Sequence, residues 1–187
     1  MKEKIDNGIL WNAAGKTGLV FGLFSGACLT AKQFLALYWD APKAVTLLSG
    51  VLWAVEFFGC IWMMAFFMRK LCADYAGVTG MDTRRYGRRI ALCSALILAG
   101  INLLLVLTVS GDATEAAMEE AMQTYGSYFD ANAKTAFDDM RDKLPALTFF
   151  SQFLWAWLYG CILSGILSRF IPGQGSSQPS DQDSDPL

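Results

Sequence analysis

Apolar and polar positions fall into long blocks along this chain. Four stretches, 17–39, 44–68, 90–109 and 145–168, are almost wholly apolar, and only Lys32 and Glu56 bring a charge into them. A hydrocarbon layer about 30 Å thick takes roughly 20 apolar residues as a helix. Each stretch therefore predicts a membrane-spanning helix. Pro42 lies just before the second and Pro145 opens the fourth, where a missing N–H costs a helix little. The first stretch exceeds the roughly 7–15 apolar residues of a signal peptide. Tyr38-Trp39-Asp40-Ala41 is also a poor cleavage site, so the stretch reads as a retained span.

The segments between the spans carry their own patterns. Residues 40–43 form a tight turn that makes spans one and two an antiparallel hairpin. The 69–89 link is broken by Gly77 and Gly80, and Asp82 is placed to cap a helix running into span three. Between spans three and four, Met118, Met122, Tyr125, Phe129, Ala133, Phe137, Met140 and Leu144 recur every three or four positions. That spacing predicts an amphipathic helix. Asp112 and Glu115 form a capping box at its start, and Gly126 is expected to bend it into two pieces. Residues 171–187 are rich in Pro, Gly, Ser and Asp and predict disorder. The predicted fold is all-α: a membrane-embedded antiparallel four-helix bundle with an extra amphipathic external helical segment, 110–144. A cytoplasmic segment, 1–16, precedes the four-span domain, 17–168, and an acidic cytoplasmic tail, 169–187, follows it.

Charge then sets the orientation. Charged residues make up 17% of the chain, against about 25% in soluble domains, which excludes an ordinary soluble enzyme. Ten Lys and Arg residues lie in 1–16, 69–89 and the tail, and four lie in the other connections. The positive-inside rule puts both termini and the 69–89 link in the cytoplasm. The external segment is acidic, with eight Asp or Glu against three Lys or Arg.

Candidate chemistry is sparse. The chain has no histidine, which removes His-based catalytic triads, H-E-x-x-H zinc sites and haem ligation by His. Five cysteines, Cys28, Cys60, Cys72, Cys93 and Cys161, form no C-x-x-C pair and read as small apolar thiols. Ala14-Gly15-Lys16-Thr17 ends like a phosphate-binding loop, but Leu10 stands where that loop needs its first glycine. No catalytic residue, cofactor, metal or nucleic-acid partner is expected.

Without a hydrophobic drive between helices in lipid, small residues supply close contact. Span one has Ala14, Gly18, Gly22, Gly26 and Thr30 four apart, and span four has Ala156, Gly160, Ser164 and Ser168. Two readings stand: a seam between spans one and four, or a homo-oligomer interface.

The polar residues inside the spans fall into two depths. Glu56 and Asn102 are each 12 residues from the cytoplasmic end of their span, about 18 Å in. Lys32 and Gln152 are each seven from the external end, at roughly 10 Å. A mid-membrane carboxylate costs roughly 2.5–3.5 kcal/mol to insert. A protonated Glu56 bonded to Asn102 would satisfy both groups. Lys32 lies about five residues shallower, and its stem can snorkel outward. Together the four form a candidate intramembrane polar site, either for protons or a cation or as a structural hydrogen bond. Arg84, Arg85, Arg88 and Arg89 cluster before span three, where they set topology and meet anionic lipid headgroups at about 1 kcal/mol each.

The opening Trp11-Asn-Ala-Ala-Gly-Lys-Thr-Gly-Leu-Val-Phe-Gly-Leu, the link Tyr75-Ala-Gly-Val-Thr-Gly-Met-Asp-Thr-Arg-Arg-Tyr-Gly and the long polar helical loop before span four carry a resemblance. Over residues 11–170 the chain resembles the bacterial membrane family catalogued as domain of unknown function 4199. The family's polar link is followed by an aromatic residue and glycine, as in Tyr86-Gly87, whereas the arginine cluster and the acidic external loop depart from it. The resemblance implies a bacterial cytoplasmic (inner) membrane and brings no activity with it. The leading expectation is a non-enzymatic structural, accessory or partner-binding component, whose 112–144 stripe is expected to rest on its own bundle, with a protein partner for 112–144 as the alternative. The alternative is a small oligomeric proton- or cation-coupled transporter using a Glu56/Asn102 pair. An intramembrane enzyme would have to use Glu56, Lys32 or a cysteine, and no paired constellation supports one.

Overall fold

A computed structural model describes residues 6–39, 41–75, 77–109, 111–125 and 131–171. It is all-helical over these residues, with α1 Asn7–Tyr38, α2 Pro42–Asp74, α3 Gly80–Thr108, α4 Gly111–Tyr125 and α5 Ala131–Phe170. Four helices are long and apolar enough to cross a membrane: α1, α2, α3 and the Lys143–Phe170 part of α5.

The helices overrun the apolar blocks that predict them. Asp6 caps α1 through Gly8 N, so residues 7–16 are already helical and continuous with the first apolar stretch. Helices α2 and α3 absorb most of the 69–89 link, leaving a short connection in which Gly77 adopts φ 72°. That left-handed conformation favours glycine. Thr79, and not Asp82, is the N-cap of α3; Asp82 sits at the third helical position and closes a capping box back onto Thr79. Thr79→Ala is expected to cost about 1 kcal/mol, read as a lower thermal midpoint in detergent.

Pro145 does not open a helix. It lies inside α5, which runs unbroken from Ala131 to Phe170. A proline removes one backbone hydrogen bond and crowds the preceding turn; here the helical stretches on both sides carry the axis through it. The external segment divides into α4 and the start of α5. Gly126, the side chains of Asp112 and Glu115, and the tail from 172 lie outside the described residues.

Helix α3 is the centre of the fold. Its most extensive contacts are with α5 and α1, while α2 leans mainly on α1 and touches α3 and α5 lightly. The two small-residue ladders therefore do not face each other. A Cβ added at Gly18 would lie 2.6 Å from Cys93 Cβ, and one at Gly22 would lie 2.8 Å from Ile97 Cβ. One at Gly26 would collide with Ile101. On the other side of α3, a Cβ at Gly160 would lie 2.5 Å from Ala91 Cβ, and Ser164 fills the space over Gly87. The expected seam between spans one and four is thus two seams, each against span three. For the α5 seam the reason lies in α3 itself: Gly87, Ala91, Ala95 and Ala99 form a third four-residue ladder, and all four are buried, whereas the α1 glycines pack against Cys93, Ile97 and Ile101. That ladder is as plain in the sequence as the other two and was the missing signal. Contact order gives the directions. Gly18, Gly22 and Gly26 meet successively later residues of α3, so α1 and α3 run the same way. Helices α3 and α5 run opposite, as Gly87 meets Ser164 and Ala91 meets Gly160.

Polar groups are found along these seams. Thr17 Oγ1 and Tyr86 Oη share a 2.9 Å hydrogen bond between α1 and α3, and Ser164 Oγ donates to the Arg84 carbonyl at 3.1 Å. All five cysteines are free thiols.

Candidate functional site

Glu56 finds its partner on α1. Lys32 Nζ donates to Glu56 Oε2 at 2.6 Å, with the two side chains 23% and 21% exposed. The expected Glu56–Asn102 pair is not formed; Asn102 is buried on α3. Counting depth along the axes placed Lys32 about five residues too shallow, because it ignored the direction in which side chains lean. A helical side chain tilts toward its own N-terminus. Helices α1 and α2 run antiparallel, since Lys32 pairs with Glu56 while Ser25 meets Cys60 further from the turn. Lys32 therefore leans away from the turn and Glu56 leans toward it, so the two heads converge.

Glu56 also lines a cleft of about 510 Å³ that the sequence did not indicate. The light contact between α2 and α5 opens it. Trp53, Glu56, Phe57 and Cys60 form one wall, Gln152, Trp155 and Tyr159 the other, and α1 and α3 contribute a floor that includes Ser25, Ser94 and Leu98. Phe57 and Tyr159 meet across it with ring centroids 5.9 Å apart. The Tyr159 hydroxyl is buried and has no hydrogen-bond partner among the described residues. The predicted polar residues thus regroup: Lys32 pairs with Glu56, Gln152 lines the same cleft as Glu56, and Asn102 takes part in neither.

No family model, no curated protein and no solved structure matches the chain.

The arginines divide as well. Arg89 is held within the molecule: its guanidinium donates to Asn7 Oδ1 at 2.6 Å and lies 4.7 Å from the centroid of the Trp11 ring. It ties the start of α3 to the start of α1 and is not a free lipid contact. Arg84, Arg85 and Arg88 are exposed. Among the described residues no cluster of acidic and cysteine side chains could hold a metal ion.

Proposed function

We propose that the chain is a non-enzymatic, multi-pass component of a bacterial cytoplasmic membrane. Its four long helices would cross the bilayer as an up-and-down bundle with both termini in the cytoplasm. The observation that carries this reading is an inverted distribution of side chains. Large apolar residues face outward, with Trp62 68%, Phe58 66% and Ile162 63% exposed, while Thr17, Ser25, Thr83, Asn102 and Ser164 are buried. Soluble monomers rarely leave apolar patches beyond a few hundred Å² uncovered, and a bilayer covers such a surface on all sides. The resemblance to the domain of unknown function 4199 family belongs to the same proposal. So does anionic-lipid contact by Arg84, Arg85 and Arg88 on the cytoplasmic face. The external segment, 112–144, is the proposed surface for a protein partner; the glycine ladders, being occupied by α3, no longer favour a homo-oligomer.

Sidedness tests it. A fluorescent protein fused at the C-terminus is expected to fluoresce in bacteria, and alkaline phosphatase fused after residue 125 is expected to be active. Active phosphatase at the C-terminus with none after 125 would reverse the orientation, and activity at neither site or both would remove the four-span topology.

A further inference from the structure

We propose that the cleft between α2 and α5 binds a lipophilic organic cation, a molecule whose positive charge is surrounded by aromatic or alkyl groups. Its volume of about 510 Å³ falls within the range of roughly 300–1,000 Å³ typical of small-molecule sites. Its lining is mostly apolar, and among the described residues the one charged side chain in it is Glu56. Trp53, Phe57, Trp155 and Tyr159 supply aromatic faces from both walls, and such faces attract a cation through the ring quadrupole.

Lys32 makes this binding an exchange of cations. It reaches Glu56 from α1 and does not line the cleft. An incoming cation that takes the carboxylate keeps Glu56 paired and leaves the Lys32 ammonium as the charge that must find water. The released lysine has a flexible stem that can carry its ammonium outward to water. A shielded cation also gives up less hydration than an ammonium on entering apolar surroundings. The unpartnered Tyr159 hydroxyl and the Gln152 amide remain for any polar group the ligand carries. The proposal rests on the membrane reading only for how a ligand arrives. Binding in detergent does not depend on orientation, so the two fail separately.

The test is calorimetric titration of the full chain in a neutral detergent, against a detergent blank, with methyltriphenylphosphonium and with triphenylphosphine oxide. The two share three phenyl rings and differ in charge. The cation is expected to bind roughly tenfold more tightly than the oxide, the margin of one charge-assisted contact, and Glu56→Gln is expected to remove that margin. Equal affinities, a preference that survives Glu56→Gln, or no saturable binding of the cation would each overturn the proposal. Should Glu56→Gln fail to give a monodisperse protein, Trp155→Leu alters an outward-facing residue of the wall, 73% exposed. It is expected to weaken the cation severalfold, and an unchanged affinity would be equally fatal.

Discussion

Gly160→Leu is expected to lower the stability of the detergent-solubilised protein by about 3 kcal/mol, the upper part of the range for overpacking a tight contact. The cause is the closeness of α5 to α3. A Cβ at residue 160 would lie 2.5 Å from Ala91 Cβ and 3.2 Å from Ala91 Cα. These are atoms at the backbone, which cannot swing aside as the end of a long side chain can, so the helices must separate. Gly165 is five positions further along the same helix and has nothing within 4 Å of its added Cβ. Gly165→Leu should therefore leave the thermal midpoint unchanged or raise it slightly, since leucine is the better helix former. A midpoint comparison by circular dichroism checks the pair. Equal losses at both positions would mean that general glycine replacement, and not the α3 seam, sets the effect.

The second large effect is an asymmetry within the ion pair. Lys32→Met is expected to cost about 3 kcal/mol, the low end for breaking a buried pair, because it leaves the part-buried Glu56 carboxylate without its partner in a mostly apolar cleft. Glu56→Gln is expected to cost about 1 kcal/mol, the net value of an ordinary hydrogen bond, because the lysine stem can withdraw toward the interface. Chemical denaturation of both variants in the same detergent gives the comparison. A larger loss for Glu56→Gln would show that the carboxylate, not the ammonium, has the easier escape.

The four long helices were legible because blocks of apolar residues near 20 in length have few other uses. Their ends were not, since a helix continues through mixed polar and apolar stretches such as 7–16 and 69–74 wherever its backbone bonds continue; hydropathy marks where a helix is apolar, not where it stops. Pro145 misled for a related reason: a residue favoured at helix starts is also tolerated inside a long helix. The polar residues of the site were identifiable one by one, as charges and amides in apolar runs, but their grouping was not. Lys32 and Glu56 come together through the tilt of side chains on antiparallel helices, and Gln152 shares a cleft with Glu56 across the space between α2 and α5. The glycine ladders signalled close packing, and the small-residue run from Gly87 to Ala99 contained the partner of the α5 ladder; the α1 ladder packs on Cys93, Ile97 and Ile101, which carry no such mark. The cleft had no sequence signature, because a space between helices belongs to no single segment.

The pairing of Lys32 with Glu56 is tested most directly by a double-mutant cycle of Lys32→Met and Glu56→Gln, with stabilities measured in lipid nanodiscs. If the two groups hold each other, the double variant will be more stable than the single losses add up to, by a coupling energy of roughly 1–3 kcal/mol. Losses that add to within about 0.5 kcal/mol would contradict the pair and separate Glu56 from Lys32.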